Sequence, residues 1–251
     1  MLQSGLIGMA TIKPIFAAAT ALGLLAVCLA ARGGAQPPPP LRTRVVELFT
    51  SQGCSSCPPA DTLLGELAGL PNMVAVAFHV DYWDSIGWRD RYAIPAAVVR
   101  QRRYVETLGL STAFTPQVVI DGRDSFVGSD RQRILAALTT DRETIPVAAE
   151  VAHGELIVTL PERAQHNRFD VGLIAYLPEA TTAIGRGENS GRTLAEFNIA
   201  REFRHIGSWR GEAKVIRVPL ESFPADATRV AVLVQDAEQG PIAGSAVASI
   251  R

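Results

Sequence analysis

Between residues 44 and 139, apolar runs of strand length alternate with segments of helical period, and few folds accept that alternation. Val45 to Thr50 (VVELFT) reads as a short buried strand. After a turn that holds Gly53 and Cys54-Ser55-Ser56-Cys57, the residues Ala60, Leu63, Leu64, Leu67 and Ala68 recur at helical spacing. Gly69 and Pro71 end that helix. Met73 to Val80 (MVAVAFHV) is a second buried strand, and Ile94, Ala97, Val98, Val105 and Leu108 mark a longer helix closed by Gly109. Gln117 to Ile120 begins a third strand, Asp121-Gly122 turns it, and Ser125 to Val127 pairs back as a hairpin. Ser129 with Gln132 reads as a capping box that opens a last helix through Leu138. The order is β-α-β-α-β-β-α. Parallel strands need a crossover connection, so the first two strands end side by side and their following loops share one edge of the sheet.

Beyond Asp141 the pattern changes to strand-like runs at 147–152, 155–160, 169–177, 196–206, 213–218, 228–235 and 242–250, separated by turns such as His153-Gly154 and the stretch Gly207 to Gly211. Several short strands in sequence point to an antiparallel sandwich or barrel. The expected organisation is an α/β domain over 44–140 followed by an all-β, sandwich-like domain over 146–251, with the boundary between Asp141 and Pro146.

The N-terminal 35 residues read as a secretory signal peptide. Lys13 supplies the positive end, Ile15 to Ala31 carries no charge, and the small residues Gly33 and Ala35 suit a cleavage site. The other reading is an uncleaved anchor, although the run sits at the short end of the roughly 17–25 residues that a spanning helix needs. Cys28 is either a lipid-attachment point or an ordinary small residue of the apolar run; Val27 before it suits attachment poorly. Residues 36–43 hold four consecutive prolines and form an extended, stiff spacer.

The whole chain has 24 basic and 25 acidic residues. Loss of residues 1–35 removes Lys13 and Arg32 and no acid, leaving 22 against 25 and a net charge of −3. That balance gives no reason to expect nucleic acid as a partner, nor the membrane once the signal is cleaved. Only two lysines accompany 22 arginines, which fits a GC-rich bacterial genome, and the expected location is the periplasm or outside the cell.

Two cysteines remain after cleavage, separated by two residues. An even count in an exported chain points to a disulfide. So short a loop gains little from cross-linking, which favours redox work or metal binding over a structural staple. A cysteine at a strand-to-helix junction faces the positive end of the helix dipole, which favours the nucleophilic thiolate. Cys54, nearer the turn, is the expected attacking residue and Cys57 the resolving one.

The segment VELFTSQGCSSCPPAD resembles the active-site segment of thioredoxins and glutaredoxins. More closely, the chain is similar to a family of exported thioredoxin-like proteins catalogued as a domain of unknown function. The matching stretches are FTSQGCSSCPPAD, HVDYWDSIGWRD, FTPQVVIDG and RGENSGR. The resemblance implies a thioredoxin-like fold for 44–140, with the start of strand three returning to the cysteines. It also implies that Pro116 matches the cis-proline which thioredoxins place opposite their cysteines, so that Thr115-Pro116 presents the substrate backbone. The chain departs from ordinary thioredoxins in having Ser55-Ser56 between the cysteines and Pro58-Pro59 after them. Pro58 disfavours helical geometry at Cys57.

Other residues at this edge have two readings each. Tyr82, Trp83 and Trp88 form an aromatic wall for a substrate, with Trp83 the candidate contact, or they pack a long loop. His79 with Asp81 and Asp84 tunes a thiolate or holds a metal, or is hydrogen-bonded structure. Glu47 accepts a proton, or belongs to an edge or a buried ion pair. Gly185 to Arg192 folds over the site or is a solvated hairpin loop. Three functions compete: a thiol–disulfide oxidoreductase that needs a protein or small-thiol substrate, a redox partner and no cofactor; a Cu(I)-binding or delivery module using Cys54, Cys57 and His79; and a non-catalytic binding protein. No Gly-rich phosphate loop or nucleophile elbow follows any strand.

Overall fold

A computed structural model of the protein describes residues 43–164 and 167–251. The expected signal peptide, Cys28 and the proline spacer up to residue 42 lie outside the described residues. From Arg44 to Leu138 the elements are β1 (Arg44–Thr50), α1 (Pro58–Ala68), β2 (Met73–His79), α2 (Pro95–Thr107), β3 (Gln117–Ile120), β4 (Asp124–Val127) and α3 (Arg131–Leu138). Then follow β5 (Ala148–Ala152), β6 (Glu155–Leu160), β7 (Phe169–Ala183), β8 (Thr193–Trp209), β9 (Lys214–Pro219), β10 (Arg229–Asp236) and β11 (Ile242–Ser249). Asp130, not Ser129, caps α3: its side chain accepts from the Arg133 amide.

The expected fold class, an α/β thioredoxin-like domain followed by an all-β sandwich-like domain, is not what the chain adopts. It is mostly β. One mixed eight-stranded sheet runs β11-β10-β7-β8-β2-β1-β3-β4, and a three-stranded sheet runs β5-β6-β9. The eight-stranded sheet draws strands from both halves of the sequence, and its seam is a parallel bridge at Ala77 of β2 and Ile199 of β8. The periodicity located the strands but says nothing of their partners, which is why the join was invisible.

Alternation along the strands sorts the side chains between two faces. Val46, Leu48, Ala75, Ala77, Val118 and Ile120 face α1 and α3, meeting Leu63, Leu64, Leu67 and Ile134. Val45, Phe49, Val74, Val76, Phe78 and Val119 face α2, with Ala97 and Tyr104. The same α2-side core continues across the seam to Ile174, Tyr176, Ala231 and Leu233. The opposite faces of β7 and β10 pack against the small sheet, around Trp209. The seam is tight: a Cβ on Gly65 of α1 would lie 2.6 Å from the Phe197 ring of β8, so only glycine lets that helix approach.

Glu47 lies on the α2 face, wholly buried, where Arg100 donates to it from Nε (2.5 Å) and Nη2 (3.0 Å). Arg100 also donates to the Tyr104 hydroxyl and to Gln235 of β10, tying α2 to the far half of the sheet. Glu47 is therefore a structural ion pair. An Arg100→Leu substitution strands its carboxylate in the core and is expected to cost about 3–5 kcal/mol in urea denaturation, much of it recovered when Glu47→Leu is added.

Candidate functional site

Thr50 ends β1, and Ser51, Gln52 and Gly53 turn the chain toward the cysteines. The turn is narrow: a Cβ on Gly53 would sit 3.0 Å from Trp83 Cβ. The Cys54 amide donates to the Ser51 carbonyl and the Cys57 amide to the Cys54 carbonyl. Cys54 and Cys57 form a disulfide, with Cα atoms 5.4 Å apart. Cys57 takes helical dihedrals despite the proline after it, and α1 begins at Pro58. Pro58 and Pro59 have no N–H, and the next two amides, Ala60 and Asp61, both donate to the Cys57 carbonyl. The first turn of α1 therefore offers Cys54 a dipole but no free backbone donor. The Ser56 hydroxyl, 3.5 Å from Cys54 Sγ, is the polar neighbour of that sulfur.

Both cysteines are fully buried, while Ser55 and Ser56 between them are exposed. Pro116 is buried, and the Thr115–Pro116 bond is cis. A Cβ on Gly128 would lie 2.8 Å from Pro116 Cβ and 2.9 Å from Ala60 Cβ, so Pro116 stands beside the first turn of α1. Half-buried Trp83 donates from its indole to the Thr115 hydroxyl at 2.8 Å. Trp83, Thr115 and Pro116 are thus gathered at the cysteine edge. Tyr82 donates to Gln101, its hydroxyl also meets the Thr115 side chain and its ring lies tilted against Trp83, whereas Glu47 faces the opposite side of the sheet.

Beneath the turn lies a buried polar cluster. Asp61, on α1 four residues after Cys57, is buried and accepts from the Thr50 hydroxyl at 2.8 Å. Side chains four apart on a helix share a face, so Asp61 stacks on the Cys57 side. Burial is the main cause that lifts its carboxyl to about 7, with His79 opposing. His79 of β2 meets Asp90 through Nδ1 at 2.8 Å. Burial works against its cation, but the charges of Asp90 and Glu196 outweigh it and raise the histidine pKa. His79 Nε2 has no hydrogen-bond partner; its nearest carboxylate is Glu196 at 3.9 Å. Asp81, expected beside His79, is exposed instead, and Asp84 accepts from the Asp90 amide.

Gln52 connects this cluster to the β7–β8 hairpin. Its side-chain amide donates to Thr182 Oγ1 (3.1 Å) and Glu196 Oε1 (2.8 Å), and its carbonyl oxygen Oε1 accepts from the Trp88 indole (2.9 Å). The loop over residues 184–192 is anchored on the cysteine turn. Asn189 is wholly buried and donates from Nδ2 to the backbone carbonyls of Gln52 (2.9 Å) and Cys54 (3.0 Å). Glu188 accepts from the Ser55 amide at 3.2 Å. Among the described residues no group of three or more His, Cys, Asp and Glu is arranged to hold a metal ion.

Sequence reasoning missed Asp61, Gln52, Asp90, Thr182 and Glu196, and it offered the segment of Asn189 as a cover without singling out that residue. Asp61 had a legible signal: it interrupts the apolar stripe of its helix, between Ala60 and Leu64. Thr182 had none, because β7 runs on past the 169–177 segment that announces it; Glu196 opens the 196–206 run, where nothing marks an acid as buried.

Comparison with known proteins extends this description. A crystal structure of a protein from Agrobacterium tumefaciens matches with a TM-score of 0.73 at 27% identity, over 84% of this chain and 96% of that one. HBP35 of Porphyromonas gingivalis matches with a TM-score of 0.54 at 13% identity, over 83% of this chain and 75% of that one, a likeness of fold alone. None of the curated proteins matches. A family model described as "Protein of unknown function (DUF1223)" matches residues 45–235, from β1 through β10 and including the cysteine pair and the loop above it, and the chain belongs to that family.

Proposed function

We propose that the chain is an exported thiol–disulfide oxidoreductase, acting on protein or small-thiol substrates and recycled by a separate redox partner. The observation that carries the reading is a two-residue disulfide loop at the head of α1, with the Asp61 carboxyl buried four residues after Cys57. A loop that short is a weak staple. A carboxyl with a pKa near the working pH is suited to moving a proton in either direction.

When the protein oxidises a dithiol substrate, a substrate thiolate attacks Cys54 Sγ. The new sulfur–sulfur bond joins substrate and Cys54, the Cys54–Cys57 bond breaks, and the electron pair leaves on Cys57. Asp61 gives its proton to the Cys57 thiolate. A second substrate thiolate then releases Cys54 and completes the substrate disulfide. In the other direction the Asp61 carboxylate takes the Cys57 proton, and the Cys57 thiolate expels the substrate from Cys54. Thr115, Pro116 and Trp83 flank the approach, where the substrate backbone lies along a residue that has no N–H.

Turnover of a disulfide-bonded peptide with a dithiol donor tests this reading. The expected result is catalysis that Cys54→Ser abolishes, with Cys57→Ser trapping substrate on Cys54. No exchange in either direction contradicts it. Asp61→Asn is expected to slow turnover about 10–100-fold at pH 7 and to remove an inflection of the rate near that pH.

The same group sets a stability signature. Unfolded, Asp61 loses its proton near ~3.9; folded, it keeps it to about 7. Between those values the folded state binds more protons, so stability falls as pH rises. Oxidised Asp61→Asn is therefore expected to gain about 2–4 kcal/mol on the parent protein between pH 4 and 8, read by urea denaturation across that range.

A further inference from the structure

In-line attack requires an open path to a sulfur along the bond that will break, yet Cys54 and Cys57 are both fully covered. Something must therefore move before any thiol can react. The turn that bears the cysteines is poorly suited to moving. It is locked below by the α1 prolines and by Gln52, whose side chain and backbone bond Thr182, Glu196, Trp88 and Asp90. The β7–β8 loop is better suited. Most of its residues are exposed, and its base is closed by two backbone bonds, Ile184 to Arg192 and Gly191 to Ile184. Its buried polar anchor is Asn189, whose side-chain oxygen in turn accepts from Arg192.

We propose that the loop over residues 184–192 is a gate on the disulfide, latched by Asn189, and that the latch decides which thiols reach Cys54. The inference rests on the oxidoreductase reading for its purpose but not for its geometry. Asn189 Nδ2 bridges two carbonyls on either side of Gly53, so it holds the loop to the cysteine turn itself. Glu188 adds a second hold and occupies the Ser55 amide, which would otherwise be free to stabilise a thiolate at Cys54. Opening therefore exposes the sulfur and frees a donor beside it in one motion. Trp88 marks the path: Gly185 and Gly187 pack against its side chain, and its indole is bonded to Gln52. A small reductant needs only a brief opening, whereas a protein substrate must hold the loop aside.

The test measures reduction of the oxidised protein lacking its first 35 residues by a water-soluble phosphine, which supplies both electrons and ends as the phosphine oxide. A gate makes the rate level off with rising phosphine, at the rate of loop opening. Asn189→Ala is expected to lift that plateau about 10-fold or more while changing the equilibrium with a glutathione buffer little. Glu188→Gln, an exposed change that leaves the core intact, is expected to lift it about 2–5-fold. A rate that stays linear in phosphine for the parent protein and is unchanged in both variants overturns the gate. Gated reduction by phosphine in a protein that turns over no thiol substrate upholds the gate and defeats the oxidoreductase reading.

Discussion

Parallel pairing of β1 and β2 places Thr50 opposite His79 at the last register of both strands. Strand alternation then fixes which face each one occupies: both lie on the α1 side, one layer beneath the disulfide. Asp61 descends from the helix to meet Thr50, and Asp90 and Glu196 come in around His79. A slip of one residue in that pairing would put Thr50 and His79 on opposite faces of the sheet and break up the cluster. The polar cluster, and every role given to it, depends on this register.

The second half of the chain completes the site instead of standing apart from it. β7 and β8 join the sheet through the bridge at Ala77 and Ile199 and then continue past it as a long hairpin. That overhang carries Thr182 and Glu196 to Gln52 and sets Asn189 on the cysteine turn. The cysteine turn is therefore held by a segment more than 120 residues distant in sequence. Burial shields a sulfur from stray oxidants and thiols, and any reaction at a buried sulfur waits on a conformational step.

The legible part of this architecture was the local part. Apolar runs, helical spacing and turn and capping signals located each strand and α-helix from Arg44 to Leu138, and the cysteine pair between a strand and a helix announced the candidate site. Trp83, Thr115 and Pro116 do gather at that edge. What failed was global. The expected fold class divided the chain into an α/β unit and a sandwich, because periodicity reports an element's buried face but not which strand lies beside it. For the exposed, glycine-rich stretch 185–192 the sequence leaves both a cover over the site and a solvated loop open, since a single buried asparagine leaves no periodic trace. Glu47 and Asp61 look alike as acids in apolar surroundings. One is neutralised by Arg100 and the other has no such partner, a difference set by contacts more than 50 residues apart in one case and by a helix turn in the other.

A Cys54–Cys57 bond that is made and broken in use equilibrates with glutathione, as read by mass spectrometry of alkylated thiols, in one reversible two-electron transition within about −270 to −120 mV, the span of working dithiol pairs. A bond that stays oxidised below about −300 mV, as structural disulfides do, is a staple and not a redox centre.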